Sequence, residues 1–517
     1  MNCFRKSGTI ESSRNDMKLS YQIRIRREEF TMDYKITGYQ PEKLFHFFEE
    51  ISAIPRGSGN EKGISDYLVS FARERGLWVH QDEAFNVIIK KEGSEGAKDL
   101  PAVMLQGHID MVCEKIAGVD HDFTKDGLEL VVKDGVLTAN GTTLGADNGV
   151  AAALMLMVLD DEDIKHPPVE CVFTTEEEVG LNGAKALDKS LISARLMINM
   201  DSEEEGIATV SCAGGLRIEC SRKIIREAAE GTLVKIAISG LKGGHSGTDI
   251  DLERKNANLV MARVVYQLMK HTDGKLVTFA GGTKDNAIPR ECEASLVYAD
   301  PEEARKAEEM AENLAGILAD EITPHEEGFI CEVTTEEEQK VKAVSAEDAK
   351  AYVTAIYLAP NGVQSRNIKM DRFVVNSVNL GVVRADEGQL ILVFSPRSSI
   401  ASLQDELKAR IGLLADTFGF TTEYSGEYPG WNFREESRIR EVFKESYREL
   451  FGEELQTEAL HAGLECGLFC DAIPGLDAIA VGPQLYHVHT PEENLPLDSF
   501  ERFYKLLKDV LRRLAEK

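Results

Sequence analysis

Ala102-Val-Met-Leu-Gln-Gly-His108-Ile-Asp110 is a short apolar run closed by a Gly-His-x-Asp turn, the pattern of a buried strand and the loop that leaves it. On an extended backbone, residues two apart project to the same face, so His108 and Asp110 point the same way near the strand's end. That suits an imidazole that ligates a metal through one nitrogen while a carboxylate holds the other. A lone His-x-Asp triplet is weak grounds for a metal, so the reading turns on what else reaches the same edge.

Four further groups share that placement. Gly145-Ala-Asp147-Asn-Gly149 stands just before an apolar helix over 149–159, where the ordinary reading of Asp147 is a helix N-cap. Val172-Phe-Thr-Thr-Glu176-Glu-Glu178-Val-Gly180 runs a core strand into three adjacent carboxylates, and Met197-Ile-Asn-Met-Asp201 repeats the arrangement. Ala478-Ile-Ala-Val-Gly-Pro is followed by Tyr486-His-Val-His489-Thr-Pro491, which adds two imidazoles. Strand-like runs at 78–81 and 86–90 and amphipathic helices over 41–54 and 61–75 complete the N-terminal part. Strands alternating with helices predict an α/β layer with a mostly parallel sheet and helices on both faces. In such sheets the ends of the strands are where binding sites form.

The length of 517 residues calls for two or more domains. From Ser211-Cys-Ala-Gly-Gly215 to about Glu427 the pattern changes to two successive runs of strands and helices in similar order, predicting a duplicated α+β insert. The expected division is an N-terminal extension over 1–31, a first part of the α/β layer over 32–213, the duplicated insert over 214–427, and a second part of the α/β layer over 428–517. The extension mixes Arg, Ser and Asn without an apolar period, and the expectation is disorder or a start codon placed too far upstream. Acidic residues outnumber basic ones 88 to 59, net -29, which argues against nucleic acid or an anionic membrane as partner. No apolar run is long enough to cross a bilayer. The nine scattered cysteines, with no CxxC, read as reduced thiols in a cytoplasm.

Two histidines and several acidic residues without cysteine describe an N/O site suited to zinc, cobalt or manganese. The carboxylates are too many for one tetrahedral ion, whereas two ions sharing a bridging carboxylate use them.

At this point the motifs resemble those of the M20-type metallopeptidases, within them the aminoacyl-histidine (cytosolic non-specific) dipeptidase branch. Gly107-His-Ile-Asp110, Leu144-Gly-Ala-Asp147-Asn-Gly, Thr175-Glu-Glu-Glu178-Val-Gly, Asn199-Met-Asp201, Gly243-Gly-His-Ser-Gly247 and His489-Thr-Pro-Glu-Glu493 stand in that family's order. The stretches 281–290, Ser395-Pro-Arg397-Ser-Ser and His461-Ala-Gly-Leu-Glu465-Cys-Gly467 are particular to the branch.

The resemblance implies Asp147 as bridging carboxylate, His108 and Asp201 completing one metal site, and Glu178 and His489 the other. Asp110 then orients His108. Glu177 is the general base, because the family's Glu-Glu pair directly precedes an apolar residue and glycine, here Val179-Gly180; Glu176 is a neighbour. His487 is set aside because the ligand precedes the Thr-Pro step. His245 is the implied donor to the tetrahedral oxygen. Arg397 is implied to grip the substrate carboxylate, with Asn286 and Gly463 beside it. A cis Asp147–Asn148 bond is also implied, as are a catalytic domain built from 32–213 and 428–517 and a ferredoxin-like lid or dimerisation domain over 214–427.

The implied enzyme uses two divalent ions, zinc or else cobalt or manganese, to hydrolyse unblocked dipeptides including Xaa-His. A tripeptidase, carboxypeptidase or N-acyl amino acid deacylase of the same family is the rival, then a non-catalytic metal-dependent binding protein. A homodimer is left open, with His245 acting within its chain or across it.

Overall fold

The computed structural model describes residues 34–368 and 373–516. The expectation for 1–31 lies outside the described residues. The first sheet has eight strands in the spatial order Trp78–Gln81, Val87–Lys91, Val169–Thr174, Val103–His108, Leu196–Asn199, Asp477–Ala480, Ile207–Cys212 and Gln456–Leu460. Pairing is parallel across the four central strands, from Val169–Thr174 to Asp477–Ala480, and the antiparallel pairs lie outside them. Val103–His108 therefore sits in the middle, paired on both edges.

Burial on both faces explains why this strand reads as a continuous apolar run. Val103 and Leu105 pack on one face with the helices Glu42–Ser52, Ala146–Asp160, Arg438–Phe451 and Leu497–Glu516. Met104 faces the other way, toward Ala184, Cys466 and Phe469 of two shorter helices. Each such buried side chain contributes roughly 1.5–3 kcal/mol of transfer free energy. The helix Ala146–Asp160 is apolar nearly all round because it is enclosed nearly all round. It lies so close to the central strand that a Cβ on Gly107 would sit 2.4 Å from the Ala151 Cβ.

The helix begins earlier than its apolar pattern predicts. Gly145, in the left-handed region, is its N-cap, and Asp147 and Asn148 depart from helical geometry inside the first turn. The N-cap reading of Asp147 is thus corrected: its carboxylate is turned outward rather than spent on the helix.

Chain segments on either side of 214–428 build this first sheet; that stretch itself forms a second, nine-stranded one. In its first unit the strands lie in the order Ile330–Ala343, Glu227–Ser239, Cys292–Tyr298, Lys275–Gly281. The second unit repeats this order as Thr421–Tyr428, Gly214–Lys223, Gln389–Ser398, Val374–Ala385. Two units of one topology meet along Lys275–Gly281 and Val374–Ala385, with Ala280 opposite Arg384. The repeat has a feature the linear pattern conceals. The second unit's first strand, Gly214–Lys223, precedes the whole first unit in sequence. Four helices, Ala257–His271, Pro301–Ile322, Ala346–Leu358 and Ala401–Thr417, share one apolar core with this sheet.

Candidate active site

His108 is buried at the last position of the central strand. Its Nε2 lies 3.0 Å from Asp147 Oδ1 and 3.4 Å from Asp201 Oδ1. Its Nδ1 faces Asp110, 3.1 Å from the backbone carbonyl and 3.3 Å from Oδ1. Burial opposes protonation of this ring, but the facing carboxylates of Asp201, Asp110 and Asp147 outweigh it and raise the pKa well above the usual imidazole value. The Asp110 carboxylate accepts from Ser58 Oγ at 2.8 Å, the Glu177 N–H at 3.1 Å and the Glu178 N–H at 3.3 Å. Burial alone would raise its pKa; His108 and these donors bring it below the ordinary carboxylate value.

Asp147 is held by its backbone. The buried Glu493 carboxylate accepts the N–H groups of Leu144, Gly145, Ala146 and Asp147 at 2.8, 3.0, 2.8 and 3.3 Å. Buried Arg56 donates to the carbonyls of Ile109, Asp110 and Gly145, tying this loop to the end of the central strand. The Asp147–Asn148 peptide is cis. Asn148 Nδ2 donates to Asp201 Oδ1 at 2.8 Å. The two oxygens of Asp147 face different imidazoles, with Oδ2 lying 3.1 Å from His489 Nε2. The same Nε2 is 3.0 Å from Glu178 Oε1. Hydrogen bonds from the ring to Asp147 first, then to Glu178, push the His489 pKa up to about 10.

Of the three adjacent glutamates, Glu176 turns aside: its carboxylate accepts from Asn182 Nδ2 at 3.0 Å and its N–H bonds Glu61. Glu177 is pushed up to about 9 by burial first, then by the charges of Asp201, Glu465 and Glu178, against the opposing pull of His108. Burial likewise raises Glu178 and Asp201. His487 contributes its carbonyl to Thr490 and no ring contact to this cluster among the described residues.

The remaining implied residues gather on the insert. His245 sits on a two-residue strand opposite Ala287. Its Nδ1 accepts the Thr248 N–H at 3.2 Å, and its Nε2 faces Arg397 Nη2 at 3.5 Å. Arg397 is 7% exposed and donates to the Tyr428 hydroxyl at 2.9 Å; its Nε is buried without a partner. No carboxylate among the described residues lies within ion-pair distance of it. His461 Nε2 bonds Ser377 Oγ at 2.7 Å, and burial first, then Arg397, push its pKa down to about 3. Gly463 lies under the Tyr428 ring, 2.8 Å from where its Cβ would be. Asn286 is exposed and accepts the Ser246 N–H at 2.8 Å through its carbonyl.

Two poles result: a carboxylate–imidazole cluster on the first sheet and a cationic cluster on the second. Ligand atoms of His108, Asp147 and Glu178 lie within 4.8 Å of one another. The first cluster places Asp110, Asp147, Glu177, Glu178 and Asp201 against two imidazoles and Arg56, an excess of buried negative charge. That donor set, nitrogen and oxygen without sulfur, fits divalent cations. Arg56, Glu493, Asn148 and Ser58 are the supporting residues that pattern reading passed over.

Residues 104–513 match the model of peptidase family M20/M25/M40, and the chain belongs to that family. It is 34% identical over 93% of its length to the whole of the cytosol non-specific dipeptidase of Escherichia coli (strain K12). Among solved structures, the aminoacylhistidine dipeptidase of Vibrio alginolyticus superposes with a TM-score of 0.87 at 34% identity, covering 93% of this chain and 98% of that one. A tripeptidase from Staphylococcus aureus shares the fold at 17% identity, with a TM-score of 0.53 over 93% of this chain and all of that one.

Proposed function

We propose that this chain is a metal-dependent dipeptidase that hydrolyses unblocked dipeptides, Xaa-His among them, in the cytosol. The observation that carries the reading is Asp147, whose Oδ1 and Oδ2 face His108 and His489 at 3.0 and 3.1 Å. One carboxylate between two imidazoles, with Asp201 beside one and Glu178 beside the other, is a frame for two ions sharing a bridge. His108 and Asp201 would hold the first ion, and Glu178 and His489 the second, with zinc, cobalt or manganese suited to the donors. When bound, the ions supply Lewis acidity toward a carbonyl oxygen and lower the pKa of water.

The chain's own residues do the rest. Glu177, whose backbone N–H is held by the Asp110 carboxylate, takes the proton of the attacking water at a carboxylate oxygen. It returns that proton to the leaving amine nitrogen. His245 offers a ring N–H to the oxygen on which charge develops. Arg397, a buried cation without an acidic partner among the described residues, supports a free substrate carboxylate, since an uncompensated buried charge is costly until its counter-charge arrives. Asn286 and Gly463 border that end. The proposed domain division follows the two poles: 32–213 and 428–517 hold the ligands, and 214–427 supplies the lid.

The test is an assay of the full chain with added zinc, cobalt or manganese on Xaa-His dipeptides, tripeptides and N-acetyl amino acids. Free dipeptides are expected to be the preferred substrates. Preferential hydrolysis of N-acetyl amino acids or tripeptides would replace this reading with another of the family's activities.

A further inference from the structure

Glu465 is fully buried and its charge bears on Glu177, yet it is neither a proposed metal ligand nor a group that takes or gives the proton. Its Oε2 accepts from Gln106 Nε2 at 2.5 Å and from Thr174 Oγ1 at 2.8 Å, while Oε1 is buried without a partner. Gln106 in turn accepts from Asn199 Nδ2 at 2.7 Å. The two partners, and Asn199 behind one of them, are not arbitrary. Gln106 precedes His108 by two residues, Asn199 precedes Asp201 by two, and Thr174 leads into Glu177 and Glu178. In the sheet Gln106 is paired with Asn199, and His108 with Thr174. Three neighbouring strand ends that carry the catalytic cluster thus converge through polar side chains on one carboxylate.

The segment that Glu465 opens runs the other way, to the cationic pole. Four residues back, His461 bonds Ser377 of the second sheet and lies beside Arg397. Its carbonyl is 2.3 Å from where a Cβ on Gly247 would be, in the His245 loop. Gly463 admits the Tyr428 ring, and Gly467 lies against Pro429 with only 2.4 Å to spare for a Cβ. A stretch of four residues can span at most about 13–14 Å. An extended dipeptide spans roughly 7 Å and a tripeptide roughly 10 Å by the same measure, so the reach of this tether bears on how long a chain fits between the poles.

We propose, on the dipeptidase reading above, that Glu465 is a positioning residue that pins the His461–Gly467 segment to the strand ends and so restricts the length of the substrate. The carboxylate suits this task because its donors are buried; removing it would leave Gln106 Nε2 only its 3.2 Å contact to Thr174 Oγ1, and Thr174 Oγ1 only its 3.5 Å contact to the Gly107 carbonyl, and free the segment to drift. Drift enlarges the gap between poles and relaxes the length limit without removing a ligand or the base.

The experiment compares wild type, Glu465→Ala, Glu465→Gln and Thr174→Val as metal-loaded full chains. Hydrogen exchange over residues 460–467 is expected to quicken about tenfold in Glu465→Ala and in part in Thr174→Val, as local opening becomes easier. The kcat/KM ratio of a tripeptide to its parent dipeptide is expected to rise about tenfold in Glu465→Ala through a higher dipeptide KM, with bound metal unchanged. Glu465→Gln, which keeps an acceptor oxygen for both donors, is expected to stay near wild type in both readouts. Unchanged exchange and an unchanged ratio in Glu465→Ala overturn the proposal; so does metal loss with equal declines on both substrates. If Glu465→Ala does not fold, Thr174→Val decides on the same criteria. A wild type inactive on dipeptides would defeat the dipeptidase reading alone, since exchange still measures the anchoring.

Discussion

Asp110 Oδ1 accepts the Glu177 backbone N–H at 3.1 Å while lying 3.3 Å from His108 Nδ1. One carboxylate oxygen therefore orients the central imidazole and fixes the backbone of the proposed base. Its partner Oδ2 takes the Glu178 N–H and the Ser58 hydroxyl. The proposed ligands His108 and Glu178 and the proposed base Glu177 are referred to a common point, although they come from sequence positions up to 70 apart.

Asp110→Ala should consequently damage binding and turnover together. Removing a carboxylate that holds a ligating imidazole costs 10–100-fold in metal affinity or activity in comparable sites. Here the loss of the Glu177 anchor adds to it, so kcat at saturating metal should fall by roughly a further 10-fold or more. Calorimetric metal titration, followed by assay at saturating metal, separates the two effects. Restoration of full kcat by metal alone would show that the Glu177 anchor is idle.

Glu177→Ala and Glu178→Ala should part company. The first is expected to abolish turnover, by at least about 10²-fold, with bound metal near the wild-type content. The second is expected to lose metal, because its Oε1 is the carboxylate atom 3.0 Å from His489 Nε2. Elemental analysis of the two purified variants decides it. Metal loss in Glu177→Ala with retention in Glu178→Ala would exchange the two roles.

Arg397→Ala is expected to raise KM for free dipeptides by roughly 10–100-fold with a smaller change in kcat, the mark of binding lost in ground and transition states alike. The same variant should lose little on dipeptide amides, which present no carboxylate. Equal losses on acid and amide would mean that Arg397 supports the fold around Tyr428 rather than the substrate.

How much of this was legible follows from the range over which each residue acts. His108 and Asp201 announce themselves because each closes an apolar strand run, Asp147 because it opens an apolar helix, and His489 because it stands in the loop after a core strand, directly before Thr-Pro. Glu493 left a trace, a carboxylate just past the His489-Thr-Pro turn, but its role depends on N–H groups almost 350 residues away. Arg56 left none: it stands in a Pro-Arg-Gly-Ser loop that reads as a surface turn, yet it is 2% exposed. The duplicated insert was visible as two runs of similar order. That Gly214–Lys223 belongs to the second run could not be read locally, because strand pairing, not sequence order, assigns it. The hairpin Leu130–Lys133 and Val136–Ala139 was also missed, since its first strand is exposed along most of its length and carries no core period.

His461 gives the fold a pH dependence with a definite sign. Its folded pKa, pushed down to about 3 by burial and by Arg397, lies below the ordinary imidazole value of 6.5. The unfolded chain therefore binds the proton first, and the stability due to the neutral ring is full above about pH 6.5. It is lost progressively as the pH falls from there toward 3. At pH 5 the loss reaches about 2 kcal/mol for this one group. His461→Gln keeps a polar group beside Ser377 and removes the titration. Urea unfolding of both proteins at pH 7.5 and 5.0 should show wild type losing about 2 kcal/mol more than the variant between the two conditions. The subtraction cancels the protonation of groups common to both proteins, the metal ligands included. Equal losses would mean that His461 is charged in the folded chain, and that the cationic pole carries a second positive charge beside Arg397.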